Sequence, residues 1–193
     1  MKRVLFLLIA SVLVLGPTLA NAATTVCDFE ALGPGAGTVP TGYCGINWAG
    51  EWQYYDAPQP PYNPASGTER VYTTGNAPSG EFFFTSPVTF IGAWFSGYDT
   101  ISGPNQINFY LYLGGNLVST SGILVPSDVP AFLASGYGGS VDEVLVFSNQ
   151  SLGYFVMDDV TYNPASVPEP GTLGLLVSGA LGAFGVARRR FLS

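Results

Sequence analysis

The segment Trp48-Ala49-Gly50-Glu51-Trp52-Gln53-Tyr54-Tyr55-Asp56 sets four aromatic rings within eight residues, interleaved with carboxylates and an amide. Flat rings beside such polar groups can grip a sugar, whose apolar C–H faces stack while its hydroxyls bond to the polar neighbours. Trp48, Trp52, Tyr54 and Tyr55 are therefore candidate glycan-binding residues. Aromatics also fill sandwich cores, and strand alternation would send Trp52 and Tyr54 to one face, Gln53 and Tyr55 to the other. Glycan hydrolysis needs only two carboxylates about 5–9.5 Å apart. Glu51, Asp56, Glu69, Glu81, Asp142 and Glu143 are available, but nothing in their spacing fixes two of them across a cleft. The chain has no histidine, which excludes Ser-His-Asp and Cys-His nucleophiles, imidazole bases and histidine-ligated metals. Two cysteines are too few for a four-thiolate zinc site or an iron–sulfur cluster. No catalytic residue is assigned, and the chain is expected not to be an enzyme.

Charge narrows the partners. Of six basic residues, Lys2 and Arg3 lie at one end, Arg188, Arg189 and Arg190 at the other, and Arg70 alone between. From Ala23 to Val167 twelve acids face that one base, a net charge of −11. Nucleic acid is excluded as a partner, because phosphate binding needs clustered Lys and Arg. Divalent cations or neutral glycans suit such a field better.

The two ends read as addresses. Residues 1–22 have the pattern of a secretory signal: Lys2 and Arg3, an apolar run from Val4 to Leu15, and Ala20-Asn21-Ala22 as a small-x-small cleavage site. A retained anchor is the alternative, although the run is shorter than the roughly 20 residues a span needs. Residues 164–171 form a linker, 172–187 an apolar helix for the membrane, and 188–193 a basic tail held on the cytoplasmic side. Pro168-Glu169-Pro170, the apolar run Leu173 to Ala187 and then Arg188, Arg189 and Arg190 resemble the PEP-CTERM sorting signal of Gram-negative bacteria. The resemblance covers only the C-terminal tail. It implies an exported protein, held in the inner membrane by its tail and recognised by an exosortase, a membrane-embedded transpeptidase-like protein. It further implies a destination at the cell surface or in an exopolysaccharide and biofilm matrix.

Between the ends, short runs rich in Val, Ile, Phe, Tyr and Thr alternate with Gly, Pro, Asn and Ser clusters, the pattern of an all-β domain over residues 23–163. Ten strands are expected: Val26–Glu30, Gly45–Trp48, Trp52–Tyr55, Arg70–Thr73, Glu81–Thr85, Val88–Phe95, Gln106–Leu113, Asn116–Ser121, Val141–Ser148 and Tyr154–Tyr162. That many short strands exceeds one open sheet, so two antiparallel sheets packed as a jelly-roll-like β-sandwich are expected, with an immunoglobulin-like sandwich second. Leu113-Gly114-Gly115-Asn116 reads as a two-residue hairpin turn. The stretch Asp56 to Thr68, with prolines at 58, 60, 61 and 64, is a long loop that is functional or mobile. In an oxidising compartment Cys27 and Cys44 pair as a disulfide, with free thiols as the alternative.

Phe29 with its acidic neighbours, and Val156-Met157-Asp158-Asp159-Val160, are similar to short segments of galactose-binding-like jelly rolls. The resemblance implies that first and last strands lie side by side and that Asp28 or Glu30, with Asp158 or Asp159, holds a structural calcium. Asp158 and Asp159, as strand neighbours, should point to opposite faces, and the inward one needs calcium, backbone N–H groups or Arg70 as a partner. No certain cofactor follows. The expectation is a non-catalytic exported protein of the surface or matrix. A calcium-assisted lectin-like module comes second and a glycoside hydrolase third.

Overall fold

A computed structural model describes residues 23–74, 77–152 and 154–165. The expected signal segment 1–22, Pro168, Glu169, Pro170, the helix expected over 172–187, and Arg188, Arg189 and Arg190 lie outside the described residues. Among those described, eleven strands carry the fold: β1 (Thr25–Cys27), β2 (Ala36–Thr38), β3 (Ile46–Trp48), β4 (Trp52–Tyr55), β5 (Arg70–Thr73), β6 (Ser79–Gly97), β7 (Ile107–Leu113), β8 (Asn116–Thr120), β9 (Ala131–Ala134), β10 (Val141–Ser148) and β11 (Phe155–Pro164). Two short 3-10 turns, Glu30–Leu32 and Tyr43–Gly45, are the helical content of this region. Among the described residues no helix is long and apolar enough to cross a membrane.

Every strand pairing is antiparallel, along the path β2-β4-β5-β11-β6-β10-β7-β8, with β1 added to β11 and β3 and β9 to β6. β6 serves two layers. Its first part pairs with β3 up to Phe84 and with β10 up to Phe83, Val141 of β10 meets Val88 beyond the bend, and the ladder to β11 runs from Val88 onward. Thr85, Ser86 and Pro87 are exposed between these parts. Proline, which lacks an N–H for the ladder, sits where the strand changes partners. The two strands expected there are one continuous strand bent at Pro87. The result is an all-β, jelly-roll-like sandwich: β3, β6, β10, β7 and β8 form one layer, and β2, β4, β5, β11, β6 and β9 the other.

Aromatic rings fill the space between the layers. Phe90 meets Phe109 at 5.0 Å between centroids, Phe95 meets Phe109 at 5.6 Å, and Trp48 meets Trp52 at 5.9 Å. Each joins a residue of one layer to a residue of the other, and burying one such side chain stabilises the fold by about 1.5–3 kcal/mol. On β7, Ile107, Phe109 and Leu111 are buried and alternate with half-buried Asn108, Tyr110 and Tyr112. Gly114 and Gly115, both at positive φ, close the β7–β8 hairpin. β1 lies against the last strand, with Thr25 opposite Tyr162. The Cys27–Cys44 disulfide is formed, with Cα atoms 5.8 Å apart.

One irregularity bears on the site. Alternation on β6 changes phase between Phe90 and Ala93, across Gly92 at φ 153°. A Cβ on Gly92 would lie 2.2 Å from the Leu133 carbonyl oxygen. On the facing strand the register shifts between Asp158 and Thr161, and Asp159 adopts φ 47°. This is a β-bulge, which re-aims side chains.

Candidate functional site: a tyrosine-lined groove beside the proline loop

The loop from Asp56 to Thr68 crosses the outer face of the second layer, and its prolines keep it out of any ladder. Its backbone groups are satisfied instead by polar side chains standing up from the sheet. Arg70, 1% exposed at the start of β5, donates from its guanidinium to the carbonyls of Ala57 (2.6 Å), Tyr55 (3.0 Å) and Thr68 (3.3 Å), tying both ends of the loop together. The same guanidinium lies 5.0 Å from the Tyr55 ring centroid, within cation–π range. Asp158, 2% exposed, accepts from the backbone N–H of Ala65 (2.8 Å), Ser66 (3.0 Å) and Asp159 (2.7 Å). Asp159 accepts from the Ser66 hydroxyl at 2.9 Å. Ser96 donates to the Asn63 carbonyl at 2.5 Å, and the Asn63 amide donates to the Asp128 carbonyl at 2.6 Å. Glu30 accepts from the N–H groups of Thr68 and Glu69, both at 2.8 Å, and Asp28 accepts from the Glu30 N–H at 3.3 Å.

Of the four carboxylates singled out for calcium, Glu30, Asp158 and Asp159 are hydrogen-bond acceptors for the loop, and Asp28 accepts from the Glu30 N–H beside them. The bulge explains why Asp158 and Asp159 both reach residue 66: strict alternation does not hold where a residue enters the left-handed region. Among the described residues no three of His, Cys, Asp and Glu are grouped so as to hold a metal ion.

Burial sets the electrostatics. It pushes the Asp158 carboxyl up to about 7, with neighbouring Asp159 adding to the rise against the pull of the three N–H donors. Asp159 is raised by burial and by Asp28 and Glu30 nearby, and Glu69 by burial and by Asp56 and Glu30. Burial lowers Arg70, and the Tyr55 ring, Glu69, Asp56 and Asp158 oppose that.

Beside the loop lies a groove of about 430 Å³, whose walls include Tyr55, Gln59, Tyr62, Arg70, Tyr72 and Tyr154. Tyr55 and Tyr72 come from β4 and β5, Tyr154 immediately precedes β11, and Gln59 and Tyr62 come from the loop. Burial, reinforced by Tyr98 and Tyr154, pushes the Tyr62 phenol up to about 12, so it remains an O–H donor at neutral pH. Rings, phenolic hydroxyls and an amide around one concavity are the composition that stacks on a sugar ring and bonds its hydroxyls, while the buried Arg70 guanidinium holds the wall behind them.

Of the four residues proposed for glycan binding, only Tyr55 lines this groove. Trp48 and Trp52 are core residues, 3% and 0% exposed, with indole N–H groups donating to the carbonyls of Tyr43 (3.1 Å) and Glu81 (2.8 Å). Their faces are sealed between the layers, which corrects their assignment to a surface platform. Tyr54, on the same side of β4 as Trp52, packs half-buried against the core. Tyr62, Tyr72, Tyr154, Gln59 and Arg70 went unrecognised because they meet only in three dimensions; the proline run was the one local signal. Among the hydrolase candidates, Glu51 accepts from the Glu81 N–H at 3.0 Å and Asp142 from the Gly114 N–H at 2.9 Å.

No curated protein matches this sequence. Among solved structures, a mutant of a family 29 carbohydrate-binding module covers 77% of this chain and 96% of its own at 11% identity, with a TM-score of 0.41. A carbohydrate-binding module in complex with β-1,4-galactotriose covers 62% of this chain and 87% of its own at 12% identity, with a TM-score of 0.35. At the C-terminus residues 166–190 match the PEP-CTERM protein-sorting motif. The chain thus carries the sorting signal of an exported protein that passes through a membrane-anchored intermediate and is processed by an exosortase.

Proposed function

We propose that this exported protein is a non-catalytic polysaccharide-binding component of the cell surface or extracellular matrix of a Gram-negative bacterium, where it associates with exopolysaccharide in a biofilm. The observation that carries the reading is the convergence of Tyr55, Tyr62, Tyr72 and Tyr154 with Arg70 and Gln59 around one groove. No carboxylate is among the described residues lining that groove, whereas a histidine-free glycoside hydrolase works through a carboxyl pair. The acidic body keeps the protein soluble in a polymer matrix and away from nucleic acid.

A panel of immobilised polysaccharides, probed with the exported protein and with Tyr72→Ala, tests this. The protein is expected to be retained on a subset of glycans without releasing reducing ends. The variant should lose at least about tenfold in affinity, the scale of one stacked ring. Retention is expected to survive a chelator, since the groove offers no carboxylate to a bridging cation. Absence of any selective glycan, or unchanged binding by the variant, would overturn the reading.

A further inference from the structure

A second cavity, of about 390 Å³, adjoins the first; its walls include Pro60, Pro61, Tyr98, Asp99, Ser127 and Asp128. The two share a partition. Gln59 and Tyr62 face the first cavity, and the intervening Pro60 and Pro61 face the second, so four consecutive loop residues run between the two. Tyr98 of the second cavity stands edge-on to Tyr62 of the first at 5.5 Å between ring centroids, and to Tyr154 of the first at 6.3 Å. Tyr98 is 43% exposed, so its ring is available to a ligand crossing the partition.

Resting on the glycan-binding reading, we propose that both cavities belong to one site that holds an internal stretch of a neutral polysaccharide chain, which crosses from one to the other over the Tyr62–Tyr98 pair. A ligand confined to one cavity would leave the rings of the other unused. A chain crossing both gains stacking on each side of the partition, and its second unit binds at the high effective concentration that linkage supplies.

The partition is held firmly enough to serve. Asn63 is fixed between the Ser96 hydroxyl and the Asp128 carbonyl, and Gly97 N–H donates to the Ser127 carbonyl at 2.9 Å. Tyr98 N–H donates to the Tyr154 carbonyl at 3.2 Å, and the Asn105 side-chain amide donates to the Tyr98 carbonyl at 3.1 Å. A preformed surface of this kind binds without the cost of ordering a loop.

The chemistry of the second cavity also selects. Asp99 and Asp128 are both exposed acceptors, and no basic residue is among its described lining. Sugar hydroxyls can donate to these carboxylates, whereas a uronic acid would meet like charge in a body that carries −11. The polymer class is therefore neutral.

The test uses the exported protein with neutral β-linked gluco-, manno- and galacto-oligosaccharides from disaccharide to octasaccharide, and with oligogalacturonates of the same lengths, by calorimetry. Affinity for at least one neutral series is expected to climb by about tenfold or more with length before levelling. Asp99→Ala should flatten that climb while leaving disaccharide affinity and the melting curve unchanged, and Tyr98→Ala should flatten it as well. Asp99→Ala guards the comparison against a shift of Tyr62 in the ring variant. Binding that is the same for disaccharide and octasaccharide overturns the two-cavity site but leaves the glycan-binding reading standing. A climb that survives both substitutions, or a preference for oligogalacturonate, also overturns it. Absence of binding to every oligosaccharide and polysaccharide removes the underlying reading and this proposal with it.

Discussion

The buried Asp158 makes stability depend on pH with a sign opposite to that of most paired carboxylates. Burial pushes its pKa up to about 7 in the folded protein, against 3.8 for an ordinary aspartate carboxyl. Over that interval the folded state therefore holds a proton that the unfolded chain releases. Stability is fully present below about pH 4 and is lost as pH rises through 7. For a single group with these two pKa values, linkage gives a loss of about 3 kcal/mol between pH 5 and pH 8. Asp159, Glu69 and Glu143 are raised by burial as well and add in the same direction. In a domain of this size the loss corresponds to a fall in melting temperature of roughly 5–10 °C. Thermal unfolding followed by circular dichroism at constant ionic strength should give the higher midpoint at pH 5. Asp158→Asn removes the proton and should flatten most of the slope, while its side-chain oxygen can still accept from Ala65 or Ser66. A midpoint that is constant or higher at pH 8, or a slope undiminished in Asp158→Asn, would refute the assignment.

Gly92→Ala places a methyl against the Leu133 carbonyl in a backbone conformation that side chains rarely adopt. It should cost about 3 kcal/mol or more in urea unfolding, and a loss below ~1 kcal/mol would show that the bulge relaxes freely. The Cys27–Cys44 bridge joins residues 17 apart. Replacing both by alanine should lower stability by about 3 kcal/mol, and equal unfolding midpoints for bridged and alanine forms would argue against that contribution.

Much of the sandwich was legible because its signals are local. Arg70–Thr73 and Val141–Ser148 are expected and observed over the same residues, since β-branched and aromatic residues run there between turn formers. Ala36–Thr38 and Ala131–Ala134 went unread. The first consists of small residues and joins the sheet through its backbone pairing with β4, and the second is only four residues long. Ser86-Pro87 signals a break, yet the strand continues, because Pro87 falls where no ladder hydrogen bond is asked of it. The groove was illegible for a different reason. Tyr55 belongs to an evident aromatic cluster, but its neighbours there are core, and its partners Tyr62, Tyr72 and Tyr154 come from separate segments. Sequence proximity reports strand alternation; only the loop's path over the sheet reports which outward rings meet.

That path follows from an accounting of polar groups. A thirteen-residue loop carrying four prolines cannot satisfy its carbonyls and N–H groups in a ladder, and lying on a sheet it cannot leave them bare. Arg70, Ser96 and Asp158 stand on the outer face of the sheet yet are buried, because the loop covers them and each bonds to its backbone. Fixing the loop this way also fixes Gln59 and Tyr62 at the groove. It places the only base between Ala23 and Val167 inside the protein, where its charge is screened from solvent by the loop it holds. The remaining surface of the body carries acids alone, and the same residue that shapes the tyrosine groove thereby leaves anionic polymers without a cation to bind. A neutral glycan is the ligand this division favours, and Arg70→Met would test the coupling. It should loosen the loop and weaken glycan binding together, whereas unchanged binding in a folded Arg70→Met protein would break the link between the loop's anchor and the groove.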